Sequence, residues 1–251
     1  MKPNIFIVGP SGGGKSSSLR NCDPTSTAIL NSEQKALPFK GAGKFKMNVP
    51  ITGYDKMQIG EQEKIVPSMK PYWDMFDRAM SNDNVKVLVN ESFTSLSEHQ
   101  YNASKFTHGK SYDLWADYGE GMQKVLHRSK NTDKYIVFLG IDMTIEGEGG
   151  VEERCIAVQG NMLKKKIAKE FVIVLYTDVH TDANGQIQHR FITNKIPGFE
   201  NVPAKSPMGM LPPTMPNDLN LVIEYVEKYY NGEDDEVEPP HEHKAVENSE
   251  Q

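Results

Sequence analysis

Asn4-Ile5-Phe6-Ile7-Val8-Gly9-Pro10-Ser11-Gly12-Gly13-Gly14-Lys15-Ser16-Ser17 is an apolar run that breaks into a glycine-rich turn ending in a lysine and two serines. From Gly9 to Ser16 it matches G-x-x-x-x-G-K-[ST], and the helical character of Ser16 to Cys22 puts the turn between a strand and a helix. The chemistry of the spacing is direct. Glycines let backbone N–H groups converge on an anion without side chains in the way. The following helix adds free N–H groups and a positive dipole end. Lys15 would bridge the terminal phosphates of a nucleotide, and the Ser16 hydroxyl would ligate Mg²⁺. Gly9, Pro10, Ser11, Gly12, Gly13, Gly14, Lys15, Ser16 and Ser17 are thus the expected nucleotide-binding residues, with a nucleotide's phosphates and Mg²⁺ as ligands.

Working outward, strand-like and helix-like stretches alternate. Thr27 to Asn31 and Val85 to Val89 read as strands, Tyr72 to Met80 and Leu114 to Ser129 as helices, and Tyr135 to Leu139 as a fourth strand. Such alternation implies a mainly parallel sheet with helices on both faces. Beyond it, Phe171 to Asp178 and Gln186 to Asn194 flank Asp182-Ala183-Asn184-Gly185, a turn signal that predicts a C-terminal β-hairpin, and Leu219 to Tyr230 reads as a closing helix. The third strand runs into Asn90-Glu91-Ser92, so Glu91 is the expected carboxylate behind the metal's water shell. The second runs into Ser32-Glu33, and Glu33 stands where a general base would polarise the attacking water.

The 251 residues carry a net charge of −6 that is unevenly spread. From Gly232 onward eight acids face the single base Lys244, a net of −7, so residues 1–231 sum to +1 by subtraction. With Pro239-Pro240 and almost no large apolar residue, this tail is expected to be disordered, and residues 1–231 to form one domain. The tail reads first as a solubilising segment, with a partner-docking role or a self-masking competition with an acidic ligand as the alternatives. No apolar run reaches membrane-spanning length and no secretory signal opens the chain, while Cys22 and Cys155 are too few for a disulfide framework. A reducing, cytoplasmic setting without membrane contact follows as the expectation. The seven histidines show no metal-ligand spacing with acids or cysteines.

On these residues the chain resembles the RecA-like P-loop NTPase core. It is most similar to the short phage-encoded ATP-binding proteins of single-strand annealing recombination, and the resemblance covers residues 4–231. Ala28-Ile29-Leu30-Asn31-Ser32-Glu33 looks like the family's second-strand segment, which makes Glu33 the catalytic glutamate. Val87-Leu88-Val89-Asn90-Glu91-Ser92 looks like its metal-binding strand, with Glu where Asp is usual. Phe191-Ile192-Thr193-Asn194-Lys195-Ile196 is similar to a segment that reaches a neighbouring subunit's nucleotide, making Lys195 a trans-acting cation, with Lys205 and Arg190 as rivals. The family's phosphate-sensing glutamine at the end of strand four is replaced by Gly140-Ile141-Asp142. Strand one begins at residue 4, so the subunit-linking segment of full-length recombinases is not expected, while rings or other homo-oligomers stay open.

The resemblance also implies single-stranded DNA as partner, bound by mobile loops, and single-strand-binding or other recombination proteins as partners of the acidic tail. Ile145 to Val151 is the expected loop, followed by Arg154 and then Lys164, Lys165, Lys166 and Lys169, with Glu146, Glu148, Glu152 and Glu153 opposing. Two further groups are Lys35, Lys40, Lys44 and Lys46 with Phe39 and Phe45 as base-stacking residues, and Tyr101, Lys105, Phe106, His108 and Lys110. The implied function is Mg-ATP hydrolysis in phage or mobile-element DNA recombination. Alternatives are a nucleotide or small-molecule kinase, against which the count of only five arginines weighs, and a nucleotide-gated adaptor with little hydrolysis.

Overall fold

The computed structural model describes residues 1–147, 150–160, 166–182 and 184–233. Glu148, Gly149, Lys164, Lys165 and the acidic tail from Asp234 lie outside the described residues.

In chain order the elements are β1 (Ile5–Gly9), β2 (Thr27–Asn31), β3 (Asn48–Pro50), β4 (Tyr54–Ile59), β5 (Gln62–Pro67), α1 (Lys70–Met80), β6 (Val87–Glu91), α2 (Phe93–His108) and α3 (Tyr112–Arg128). Then come β7 (Tyr135–Glu146), β8 (Glu152–Ile156), β9 (Ile173–Thr181), β10 (Ile187–Ile192), β11 (Thr214–Pro216) and α4 (Leu219–Asn231). The sheet runs β11-β10-β9-β1-β7-β6-β2-β3. From β9 to β3 every pairing is parallel, and β10 and β11 join antiparallel at one edge. This is the mixed α/β architecture, a mostly parallel sheet with flanking helices, expected of a RecA-like core.

β1, β2 and β6 are buried along their whole length, and β7 and β9 over their first halves, because both faces of the sheet are covered there, and their residues divide by parity. Phe6, Val8, Leu30, Leu88, Phe138 and Val174 pack on one face with α1, α2 and α3. Ile5, Ile7, Ile29, Val89, Val137, Leu139 and Leu175 pack on the other with Leu19 and with Leu219, Val222 and Val226 of α4. Phe6, Phe93, Phe138 and Phe171 meet edge to face at 5.0–5.5 Å between ring centres, a geometry that suits the aromatic quadrupole.

Several sequence expectations change. The helix expected after the glycine-rich turn is a six-residue 3-10 segment, Ser16–Asn21, so its dipole is small and the turn's own N–H groups must carry anion binding. Strand four does not end at Leu139. β7 continues to Glu146 and pairs antiparallel with β8, so Ile145 and Glu146, expected in a mobile loop, are strand residues. Between β9 and β10, Asp182 N–H donates to Gln186 O at 2.9 Å, Gly185 N–H donates to Asp182 O at 3.0 Å, and Gly185 takes a left-handed φ of 78°.

Three elements carry no sequence signal. After Phe93 and Leu96, α2 turns Ser97, Gln100 and Ser104 inward, so the rest of its buried face is polar and the apolar period is lost. Ser97 Oγ meets Tyr118 Oη at 2.7 Å, and Gln100 Nε2 donates to Ser104 Oγ at 3.0 Å. β4 and β5 form a separate, largely exposed hairpin without apolar alternation. Among the described residues no helix is long and apolar enough to cross a membrane.

Candidate nucleotide site

The glycine-rich turn leaves the carboxyl end of β1 in the middle of the sheet, between β9 and β7. Its glycines answer a steric demand from β9. A Cβ on Gly9 would sit 2.1 Å from Thr177 Oγ1, and one on Gly13 would sit 2.5 Å from the same atom, closer than any real contact. The loop therefore lies directly on the neighbouring strand. Gly12 and Gly14 hold φ of 77° and 95°, which aim successive peptide groups in ways an L side chain resists.

Lys15 is buried and donates through Nζ to Gly9 O at 2.9 Å and Pro10 O at 2.7 Å. Burial pulls its ammonium below the ordinary lysine range, against the raising influence of Glu91, Asp142 and Glu33. Ser16 Oγ donates to Glu91 Oε1 at 2.9 Å, joining the end of the loop to the end of β6 across 75 positions of sequence. Glu91 is 7% exposed, and its second oxygen, Oε2, has no hydrogen-bond partner among the described residues. Burial raises its pKa to about 7, the nearby Glu33 adding to the rise and Ser16 and Lys15 opposing it. A buried carboxylate with one free oxygen beside a serine hydroxyl is a donor set suited to a hard divalent cation, which would hold the carboxylate ionised.

Glu33 follows β2 and is tied to the same corner by its backbone, its N–H donating to Glu91 O at 3.4 Å. Its carboxylate pairs with Lys35 Nζ at 3.0 Å, the lysine exposed and the glutamate mostly covered. The structure thus gathers Lys15, Ser16, Glu33 and Glu91 at one end of the sheet. Asp142, one residue past Gly9's register partner Ile141, accepts from Arg154 Nη1 at 2.5 Å and from Tyr176 Oη at 3.1 Å, with 3% of its side chain exposed. At the expected sensor position it is thus already engaged.

Lys195 is exposed and lies elsewhere, beyond β10, lining a cavity of about 480 Å³ with Arg154, Lys169 and Lys205. Its floor includes Ile156, Val202 and Ala204, which belong to the core face opposite Leu19 of the glycine-rich turn. Glu153 and Glu200 are its acids. Partial burial lowers the pKa of Lys205. Of its rivals as trans-acting cation, Arg190 pairs with Asp178 at 2.8 Å. Arg154 stands on β8 rather than after a loop, and Lys166 lines a separate depression with His127 and Lys130. Of the expected stacking pair, Phe45 is 6% exposed and packs edge-on to the half-buried Phe39 at 5.6 Å, so the Phe45 ring is not free for a base. Tyr101 packs on Trp115 and Tyr118, leaving Phe106 as that group's exposed ring.

Sequence reading passed over Thr177, His189 and Asn217. All three lie against the loop: His189 Nδ1 is 3.3 Å from Gly13 O, and a Cβ on Gly14 would meet His189 Nδ1 at 2.9 Å and the Asn217 amide at 3.3 Å. Thr177 sits in the expected hairpin run, but only the parallel pairing of β9 with β1 reveals its role.

No protein-family model and no curated protein matches the sequence. Among solved structures the chain is similar to a KaiC-like protein of the archaeon Pyrococcus horikoshii, at 11% identity and a TM-score of 0.44 over 79% of this chain and 82% of that one. It is also similar to the flagellar accessory protein FlaH of Methanocaldococcus jannaschii, at 12% identity and 0.32 over 75% and 76%. A second Pyrococcus horikoshii protein, solved with a bound peptide, is 12% identical with a TM-score of 0.37 over 78% and 85%.

Proposed function

We propose that this chain is a RecA-like, Mg²⁺-dependent ATPase that acts on single-stranded DNA in phage or mobile-element recombination, within the cytoplasm of a bacterial host. The observation that carries the ATPase reading is the 2.9 Å bond from Ser16 Oγ to Glu91 Oε1. It joins a phosphate-loop hydroxyl to a buried carboxylate at the end of a second strand, the pair that a Mg²⁺–triphosphate requires. Gly9 to Ser17 wrap the phosphates with backbone N–H groups, and Lys15 neutralises the terminal ones. Ser16 and Glu91 hold the cation, which when bound offsets the charge developing on the transferred phosphoryl group. Glu33, beside Glu91, orients and deprotonates the attacking water. Lys195 of a second copy is the trans-acting cation, since its own loop corner is served by Lys15.

The DNA reading rests on the groove formed by Arg154, Lys169, Lys195 and Lys205, whose four cations face two acids. Such a groove binds a phosphate backbone without reading sequence. A kinase reading lacks the expected arginine clamp. Arg154 and Arg190 are held by Asp142 and Asp178, Arg128 by Asp77, and Arg20 by Asn217 O. A nucleotide-gated adaptor remains the second reading, favoured by the engagement of Asp142 with Arg154 and Tyr176 at the sensor position.

Steady-state ATP turnover measured with and without single-stranded DNA, over a salt series, tests these readings. Turnover stimulated several-fold by DNA at low salt supports the ATPase of recombination. Phosphorylated small acceptors would replace it with a kinase, and tight ATP binding without turnover would replace it with an adaptor.

A further inference from the structure

The 3-10 segment that follows the loop is fastened to the turn before α4 by the side chains of Arg20 and Asn21. Arg20 Nη1 donates to Asn217 O, Asn21 Nδ2 donates to the Asp218 carboxylate, and Asp218 caps α4 by accepting from Asn220 N–H at 3.0 Å. The Asn217 side chain takes no part. It is 2% exposed, and neither its Nδ2 nor its Oδ1 has a partner among the described residues. Thr177, 0% exposed, likewise has an unpartnered Oγ1. Buried polar groups are nearly always bonded, and here two unbonded ones press on the glycines of one loop.

Hydrogen-bond counting suggests what they serve. An ammonium has three donors, and Lys15 already spends two on Gly9 O and Pro10 O. Gripping more than one phosphate oxygen obliges it to release at least one of these carbonyls. Thr177 Oγ1 lies 2.1 Å from the Cβ position of Gly9, and it lies 2.5 Å from that of Gly13, a point itself 3.0 Å from Pro10 O. A hydroxyl donor therefore lies against the stretch of loop that carries both carbonyls. The Asn217 amide, with a donor and an acceptor, stands beside the Gly14 peptide.

We propose that Thr177 and Asn217 are positioning residues for nucleotide binding, which take up the hydrogen bonds of the phosphate loop when Lys15 turns from Gly9 O and Pro10 O to the ligand. This inference rests on the nucleotide reading of the loop. Its signature is an opposition of signs. Their polar atoms cost stability in the protein alone and are satisfied on binding, so an apolar isostere helps the first state and harms the second.

The experiment measures thermal unfolding without nucleotide and the Kd for Mg-ADP by calorimetry, for the parent chain, Thr177→Val, Thr177→Ser and Asn217→Leu. Thr177→Val is expected to unfold at an equal or higher temperature than the parent yet to bind ADP about 3- to 10-fold more weakly. Thr177→Ser restores the parent affinity, and Asn217→Leu behaves as Thr177→Val does. A Thr177→Val chain that unfolds earlier, or does not fold, overturns the role for Thr177, because its hydroxyl then already serves the protein without ligand. Unchanged Kd in both apolar variants, with a parent that binds ADP, overturns the inference alone. A parent that gives no binding heat overturns the nucleotide reading as well.

Discussion

Glu91 concentrates the site's electrostatics in one carboxyl group. Its pKa of about 7, against 4.5 for the free side chain, means that the folded protein holds a proton the unfolded chain has released between these values. Its native pKa is raised, so stability falls as pH rises from about 4.5 to 7 and is level above. At roughly 1.4 kcal/mol per unit, the loss is of order 3 kcal/mol. Glu91→Gln is expected to stabilise the protein without nucleotide at pH 8 by up to this amount and to leave it nearly unchanged at pH 4.5, as urea titrations at the two values would register. The same variant should lose most of the magnesium dependence of nucleotide binding. In the parent, that affinity should weaken as pH drops below about 7, because the proton and the cation compete for one carboxylate. Glu33→Gln is the complementary case. Nucleotide Kd should stay within about twofold while turnover falls by some 10²- to 10⁴-fold, and unchanged turnover in stopped-flow assays would reject Glu33 as the base. Lys15→Ala should abolish nucleotide binding outright. These residues were legible in the sequence because each stands at a fixed offset from a strand end: Lys15 after β1, Glu33 after β2, Glu91 closing β6. Thr177 and Asn217 have no such offset, since they touch the loop only through the lateral pairing of β9 and through the turn before α4.

At the scale of elements, the β7–β8 hairpin connects the two halves of the proposed machinery. β7 is buried from Tyr135 to Gly140 and then leaves the sheet, its outer half held by Arg154 on β8, whose guanidinium reaches Asp142 and whose N–H donates to Asn201 O at 2.8 Å. Removing the cation leaves a covered carboxylate bonded to the Tyr176 hydroxyl. Arg154→Ala should therefore destabilise the protein by about 1–3 kcal/mol, and adding Asp142→Asn should recover part of it. A double-mutant cycle in urea gives the coupling directly. The sequence showed a strand, glycines and a run of acids here, which read as strand followed by loop. The pairing of Asp142 to Glu146 with Glu152 to Ile156 is a nonlocal choice that hydrophobic period cannot reveal, because most of these side chains face solvent. α2 was illegible for the opposite reason: beyond Phe93 and Leu96 its inward residues are buried, but they are serine and glutamine.

Across the whole molecule, charge is divided. The described body is close to neutral, carrying a local groove of four cations, while the C-terminal segment carries −7. If that segment competes with DNA for the groove, a chain ending at Gly232 should bind single-stranded DNA more tightly at low salt, with the advantage fading as the ionic strength shortens the range of charge. Fluorescence anisotropy of a labelled oligonucleotide would register this, and equal affinities would assign the segment to solubility or to protein partners. Four phosphate contacts predict a slope of log Kobs against log salt near −3 for a single strand, and a slope near zero would dismiss the groove as a backbone-binding site.

By itself the sequence determined the phosphate loop, the alternation of strands and helices and the two strand-end carboxylates, since these depend on local spacing and on backbone geometry that only certain residues adopt. Tertiary structure decided the order of strands, and with it the contact between Ser16 and Glu91, the seating of the loop on Thr177, and the gathering of Arg154, Lys169, Lys195 and Lys205 around one groove. Those contacts join residues far apart in the chain, and they form only when burial of both sheet faces brings parallel strands into register.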